Sequence, residues 1–158
     1  MSTFKVLPLA SELAATIRHG GHDEFGNALV SVVAKGKGPC RHCLHPFDVG
    51  NENRILFSYK PFHAHQAYVE VGPVFIHAHE CAPFADENKF PAAIKSDLEA
   101  FPLTLRCYDT DERMLHAELV GKRNVDEVIH TLFEDPQIDF IYARNAEYGC
   151  YIAKVVRS

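Results

Sequence analysis

The chain contains no tryptophan, no cluster of basic residues and no apolar segment long enough to cross a membrane as a helix. A spanning helix needs roughly 18 consecutive apolar residues. Proteins that bind a nucleic-acid backbone or an anionic membrane carry concentrated positive charge, whereas this chain has a formal net charge of −5. We therefore expect neither nucleic acid nor a membrane among its partners.

Targeting and disulfide features are also missing from the sequence. The N-terminal segment, Met-Ser-Thr-Phe-Lys-Val-Leu-Pro, does not have the basic start and apolar core of a signal peptide. Five cysteines are an odd number, and without a secretory signal they do not indicate a disulfide framework. We expect a cytoplasmic protein whose cysteines bind metal, carry out redox chemistry or pack in the core.

The length and composition favour one domain. A chain of 158 residues with 47% hydrophobic residues can bury roughly two-thirds of its unfolded surface around a single core. We predict one domain over residues 1–158, with no separate linker. Short β-branched and aromatic segments between a few helical patterns predict an α+β fold, with a mainly antiparallel sheet and two or three helices.

Local patterns predict where these elements lie. The most complete helical pattern follows Asn124, which can cap a helix that has Glu127 at the capping-box position. The Gly72-Pro73 pair suits an edge strand, because proline cannot donate a hydrogen bond to a sheet. The other predicted helices cover residues 11–18 and 91–101, and the predicted strands cover residues 29–34, 55–59, 68–78, 103–108, 114–120, 138–143 and 148–156.

The candidate metal-binding residues are concentrated in two segments rich in cysteine and histidine. Residues 39–45 read Pro-Cys-Arg-His-Cys-Leu-His, and residues 77–81 read His-Ala-His-Glu-Cys. Thiolate and imidazole are the ligands that tetrahedral Zn²⁺ prefers. If residues 74–81 are extended, the side chains at 77, 79 and 81 project from one face of a strand. The sequence predicts a transition-metal site, with Zn²⁺ as the expected ion, formed by Cys40, Cys43, His77 and Cys81.

The spacing leaves the ligand set and the role of the ion open. His42, His45 or His79 can replace one of the preferred ligands, because nothing in the spacing selects among them. The ion would have a structural or a ligand-binding role. Catalysis would need an open coordination position and a general base, for which Glu70 and Glu80 are candidates.

Two other functions are compatible with the sequence. A thiol redox protein would use the Cys40–Cys43 pair, although Pro46 interrupts the helix that follows such a pair in thioredoxin-like proteins. A metal-free protein would keep its cysteines in the core and bind a small-molecule ligand through convergent polar side chains. The candidates for that role are Arg41, Glu70, His77, Arg144, Tyr148 and Cys150. The sequence determines neither an enzymatic reaction nor an oligomeric state.

Four segments together resemble one protein family. They read Gly-Pro-Cys-Arg-His-Cys-Leu at 38–44, Ile-Leu-Phe-Ser-Tyr at 55–59, Gly-Pro-Val-Phe-Ile-His-Ala at 72–78 and Arg-Asn-Ala-Glu-Tyr-Gly-Cys at 144–150. The chain is similar over nearly its whole length to the bacterial family called domain of unknown function 1203. This resemblance implies a compact bacterial cytosolic protein and names no activity. The family pattern is met by Pro39, Cys40, Arg41 and Leu44, and if Cys43 occurs only in a subset, the shared role belongs to Cys40 and Arg41.

Overall fold

The computed structural model describes residues 3–86 and 88–158. Within them the chain forms eight strands and three helices, in agreement with the predicted α+β class. None of these helices has the length and apolar character needed to cross a membrane. In chain order the elements are β1 (Phe4–Leu7), α1 (Ser11–His19), β2 (Ser31–Val33), β3 (Asn53–Tyr59), β4 (Gly72–His77), α2 (Ala92–Lys95), β5 (Leu103–Tyr108), β6 (Met114–Leu119), α3 (Val125–Leu132), β7 (Phe140–Asn145) and β8 (Tyr151–Arg157).

A five-stranded antiparallel sheet forms the centre of the fold, with the strand order β1-β8-β7-β5-β6. Its middle strand, β7, is buried along its whole length because both faces of the sheet are covered. Ile141 and Ala143 face a core shared with α3, whereas Phe140 and Tyr142 face an aromatic core on the other side. The sheet therefore separates two hydrophobic cores.

A second antiparallel sheet, with the order β2-β3-β4, packs across the aromatic core together with α1. β4 is an edge strand of this sheet, as the Gly72-Pro73 pair predicts. In the pairing of β3 with β4, His77 lies opposite Arg54. The last residue of β4 is thereby placed next to the turn that precedes β3, and this placement organises the site described below.

Helix α3 confirms the prediction made from its capping sequence. The side-chain oxygen of Asn124 accepts a hydrogen bond from the backbone N–H of Glu127, 3.1 Å away. The helix buries an apolar face against the five-stranded sheet, formed by Val125, Val128, Ile129 and Leu132. Cap and apolar face are both local signals, which is why the sequence alone predicts this helix.

The predicted helix over residues 91–101 is wrong beyond its first turn. α2 ends at Lys95, and the side chain of Asp97 then accepts a hydrogen bond from the backbone N–H of Ala100, 3.2 Å away. An aspartate that bonds to nearby backbone competes with the helix and favours a turn. Leu98 and Phe101 still pack on the core shared with α3. The apolar spacing identified buried residues correctly but assigned them the wrong backbone conformation.

Two strands also differ from what the sequence predicts. β4 covers Gly72–His77 and is shorter than the predicted strand over residues 68–78. Because it ends at His77, residues 79 and 81 do not share a strand face with it. β1 pairs with β8 along Phe4–Leu7 and had no predicted counterpart. Its four residues are followed at once by Pro8, and so short a segment shows no clear alternation.

Candidate metal centre

The loop formed by residues 39–45 closes tightly on itself. The backbone N–H of Leu44 donates to the carbonyl of Cys40 at 2.8 Å, and the N–H of Cys40 donates to the carbonyl of His45 at 3.0 Å. Leu44 adopts a φ of 57°, in the left-handed region that a side chain other than glycine seldom occupies. Both cysteines of the loop therefore belong to one compact turn.

Backbone contacts fix this loop against β4 and the segment before α1. The N–H of Arg41 donates to the carbonyl of Phe75 in β4 at 3.0 Å, and the N–H of Leu9 donates to the carbonyl of Arg41 at 2.9 Å. The backbone N–H of His77 points at the sulfur of Cys40, 3.3 Å away. Backbone contacts thus place the loop directly against the end of β4.

The structure brings four donor atoms together, one each from Cys40, Cys43, His77 and Cys81. All four lie within 4.8 Å of one another. The sulfurs of Cys40 and Cys81 are 4.0 Å apart, and the sulfur of Cys43 is 3.5 Å from Nδ1 of His77. Zinc–ligand bonds of about 2.3 Å to sulfur and about 2.0 to 2.1 Å to nitrogen imply tetrahedral separations of about 3.8 Å and about 3.6 Å, respectively. The spacing of the donors fits one coordination shell.

A carboxylate orients the imidazole of this cluster. Nε2 of His77 lies 3.1 Å from Oε2 of Glu52, which also accepts a hydrogen bond from the backbone N–H of Asp48 at 2.7 Å. An imidazole that donates Nε2–H to a carboxylate leaves the lone pair on Nδ1, the atom that faces Cys43. Metal-ligating histidines commonly have such a carboxylate partner on the other ring nitrogen.

Positive and polar groups surround the sulfur of Cys81. Nη2 of Arg18 donates to this sulfur at 3.2 Å, while Nε of the same side chain donates to the carbonyl of His77 at 3.0 Å. Nδ1 of His42 lies 3.3 Å from the same sulfur, and Nε2 of His42 lies 2.9 Å from the hydroxyl of Ser11. Three thiolates and one neutral imidazole around Zn²⁺ carry a net charge of −1, which the guanidinium of Arg18 offsets.

The three thiols of the cluster ionise unequally. Hydrogen bonds from Cys43 and Cys81, together with the backbone N–H of His77, hold the pKa of Cys40 far below its ordinary value. Its hydrogen bond with Cys40 raises the pKa of Cys43 and, in the same way, that of Cys81. One negative charge is thus shared among three sulfurs. A bound cation would displace the two remaining thiol protons, as metal binding to cysteine requires.

The proposed substitutes lie around the four donors and have other partners. His42 contacts Cys81 from outside the four-residue set. Nδ1 of His45 lies 3.0 Å from the carbonyl of Cys43. His79 is 55% exposed, with Nε2 3.9 Å from Glu52. Glu52, His77 and His79 form a second close group, but Nε2 of His77 already contacts the carboxylate there.

Sequence reasoning missed Glu52 and Arg18, the two charged residues that contact this cluster. Glu52 lies in the turn before β3 and reaches His77 only because β3 and β4 pair in the observed register. Arg18 lies in the last turn of α1 and reaches Cys81 across a separation of 63 residues. No local spacing connects either residue to the cysteines, so only the tertiary structure identifies them.

The other candidate residues lie outside the cluster. Glu70 forms ion pairs with Arg144 at 3.2 Å and with Arg106 at 2.7 Å, and Glu80 is exposed. Neither carboxylate contacts the cluster in the part of the chain that the structure describes, so neither is placed to act as its general base. Cys107 is a core residue, and burial raises the pKa of its thiol to about 12.

A family model described as "Protein of unknown function (DUF1203)" matches residues 37–157. The chain belongs to this family. The matched span includes all four donors and Glu52, whereas Arg18 precedes it. Searches of curated proteins and of solved structures found no match. The DUF1203 description names no activity, so the function has to be argued from the geometry of this chain.

Proposed function

We propose that this DUF1203 protein binds one Zn²⁺ through Cys40, Cys43, His77 and Cys81, and that the ion has a structural role. The observation that carries the proposal is the convergence of three sulfurs and one imidazole nitrogen within 4.8 Å of one another. The carboxylate of Glu52 on the far side of the imidazole supports it, because it selects the tautomer that a metal ligand needs.

The donor set favours zinc over other common ions. Calcium and magnesium prefer oxygen ligands, and the four converging donors include no oxygen. Iron–sulfur clusters are usually held by four cysteines, or by two cysteines and two histidines in one class. Three cysteines with one histidine at tetrahedral spacing are typical of structural zinc.

A structural role is favoured because the protein itself supplies four donors. Catalytic zinc keeps a coordination position for water or substrate and is usually held by three side chains. Here Cys40, Cys43 and His77 are buried, and Cys81 is half-buried. A fourth protein ligand in such surroundings leaves no position at which a substrate would reach the ion.

The ion would cross-link three parts of the fold. It would tie the loop at residues 39–45 to the end of β4 and to the segment that carries Cys81, which Arg18 connects to α1. The two hydrophobic cores lie on either side of the five-stranded sheet and are built mainly from its strands and the helices, although Cys40 and Cys43 themselves belong to the aromatic core. We therefore expect the metal-free protein to keep its sheets but to lose order locally around the loop.

Elemental analysis of protein purified without a polyhistidine tag tests the proposal. We expect about one zinc per chain and a cluster whose three thiols react with a thiol reagent only after chelation or unfolding. Replacing zinc by Co²⁺ should add the charge-transfer absorption of cobalt thiolates, which Cys43→Ser would diminish. Cys150→Ser is the matched control, because Cys150 is not one of the four donors. Metal-free protein whose cluster cysteines titrate freely would refute the proposal.

A thiol redox role is the second candidate, favoured by the lowered pKa of Cys40 next to Cys43. It predicts that glutathione disulfide converts the metal-free protein to a form with a Cys40–Cys43 disulfide, and that thioredoxin reduces it again. Peptide mapping by mass spectrometry identifies the bond. Rapid, reversible exchange in protein that binds no zinc would favour this function over the structural site.

A further inference from the structure

A second polar site lies beside the same loop. A cavity of about 460 Å³ opens between residues 35–41, β4 and the turn that joins β7 to β8. Its volume lies in the range of small-molecule sites, about 300 to 1,000 Å³. Its charged lining residues are all basic, namely Lys35, Lys37, Arg41 and Arg54. Positive charge is thus concentrated here in a chain whose net charge is −5.

Arg41 is a buried cation that has no carboxylate partner among the described residues. Its side chain is 4% exposed, with Nε donating to the carbonyl of Tyr151 at 2.6 Å and Nη1 donating to the carbonyl of Pro39. Among the described residues no carboxylate pairs with this guanidinium, and its Nη2 makes no hydrogen bond. Buried charges are normally paired, because removing them from water is costly. An anion in the cavity would supply the missing partner.

Arg54, which also lines the cavity, repeats this pattern. Its Nη1 donates to the carbonyl of Gly36 at 3.2 Å, and its guanidinium carbon lies 3.8 Å from the centre of the Phe75 ring. Its Nε is buried and has no hydrogen-bond partner within residues 3–86 and 88–158. No ion pair to a carboxylate is formed by Arg54 in that part of the chain either. Two guanidinium groups therefore line one cavity without any acidic side chain.

The rest of the lining is largely apolar or aromatic. Pro73 and Phe75 of β4 form one wall, and Tyr148 lines the cavity with 82% of its surface exposed, whereas Phe101 is buried in the core and offers little free surface. Cys150 also lines the cavity and is half-buried. A ligand that fits this lining has a strongly anionic group attached to an apolar body.

We propose that the cavity binds a small organic phosphate, with the phosphate held by Arg41 and Arg54 and an apolar or aromatic body packed on Pro73 and Phe75. One guanidinium group can bind two phosphate oxygens at once, and a dianion matches two arginines and Lys35 better than a monocarboxylate does. Lys37 lies 4.0 Å from a carboxylate oxygen of Asp97 and adds less net charge. Lys35 and Lys37 are exposed at the mouth and would attract the anion. The proposal does not depend on the identity of the ion in the cysteine cluster.

Calorimetric titration with four small probes tests the ligand class. We expect phenyl phosphate to bind about tenfold more tightly than either inorganic phosphate or benzoate, and benzyl alcohol not to bind. Raising the salt concentration should weaken the binding of phenyl phosphate, because exposed charges contribute to its affinity. Absence of phenyl phosphate binding at millimolar concentration would overturn the proposal. Benzoate that binds as tightly as phenyl phosphate would overturn the preference for phosphate.

Variants locate the binding site. The exposed pair Lys35→Met and Lys37→Met, made together, should weaken phenyl phosphate about fivefold, and Arg54→Met about tenfold. Lys60→Met combined with Lys122→Met removes the same charge outside the cavity and should leave affinity unchanged. Alkylation of Cys150 should slow when phenyl phosphate is present, with Cys150→Ser identifying the signal. Unchanged affinity in both cavity variants, or no protection of Cys150, would refute the assignment.

Discussion

The cysteine cluster and the basic cavity lie on either side of one short loop, yet their polar groups are satisfied in opposite ways. In the cluster each donor contacts another donor or a neighbour, and Glu52 and Arg18 complete the surroundings. In the cavity two guanidinium groups have no acidic partner within the described residues. A site whose donor atoms are contacted by groups of the protein itself suits a tightly bound ion. A site whose guanidinium groups have no acidic partner suits an anionic ligand that binds reversibly.

Removing one sulfur should have the largest effect on this comparison. Cys40→Ser should abolish stoichiometric zinc and remove the stabilisation that bound zinc confers, about 2.7 kcal/mol when free zinc is one hundred times its Kd. Thermal unfolding with and without a chelator measures the difference. Wild-type protein should lose stability on chelation, and the variant should not respond. A variant that still responds to the chelator would show that Cys40 is not a ligand.

The two sites should also differ in pH dependence. The lowered pKa of Cys40 favours its thiolate, whereas the raised pKa values of Cys43 and Cys81 keep those thiols protonated. Zinc binding should therefore release about two protons, and zinc affinity should rise about one hundredfold per pH unit near pH 7. Phosphate binding should rise at most about tenfold per unit, as a phosphate monoester ionises near pH 6.

Competition with a chromophoric zinc chelator at several pH values checks the first slope, and calorimetry with phenyl phosphate checks the second. Zinc affinity that is independent of pH would contradict the assignment of two protonated thiols in the metal-free cluster. The two slopes are measured on the same protein sample, so a general loss of folding would appear in both.

Glu52 tests whether the imidazole is oriented from outside the cluster. Glu52→Gln should lower zinc affinity about tenfold, because a neutral amide stabilises the required tautomer less well than a carboxylate. The substitution also weakens the hydrogen bond from the backbone N–H of Asp48 to the side chain of residue 52. The chelator titration is therefore interpreted together with the unfolding midpoint of the metal-free variant. Glu80→Gln changes charge equally on an exposed residue and serves as control. Equal zinc affinities in the two variants would show that Glu52 does not orient the imidazole.

The smallest effect is expected at Arg18. Arg18→Met removes a hydrogen bond to the sulfur of Cys81 and should lower zinc affinity about threefold, while leaving the affinity for phenyl phosphate unchanged. Arg113→Met, in the turn between β5 and β6, is the matched charge control. The comparison needs both ligands, since a variant that weakened zinc and phosphate alike would indicate a change of the whole fold.

The sequence predicted those features that depend on neighbouring residues. The cap at Asn124 specifies α3, and residues 103–108 coincide with β5, because each signal lies within the element itself. The Cys40 and Cys43 pair could be recognised by residue type alone. In contrast, the turn at Asp97 ended a helix whose apolar spacing continued to Phe101. Local periodicity therefore located buried residues more reliably than it located backbone conformation.

The surroundings of both sites could not be predicted in this way. Glu52 approaches His77 because of the register between β3 and β4, and Arg18 approaches Cys81 across most of the first half of the chain. The lack of a carboxylate partner for Arg41 within residues 3–86 and 88–158 is a property of the assembled fold, although Arg41 itself stood out in the sequence. Candidate metal donors can be recognised from residue type, whereas the groups that would orient them depend on tertiary contacts.

Arg41 occupies one of the two positions between the loop cysteines, so the backbone that a bound ion would hold in place also positions the guanidinium in the cavity. Thermodynamic linkage makes such an arrangement reciprocal: any factor by which zinc strengthens phosphate binding is the factor by which phosphate strengthens zinc binding. The zinc content of a preparation thus becomes an experimental variable in every ligand screen, and partially loaded samples should report a mixture of two affinities.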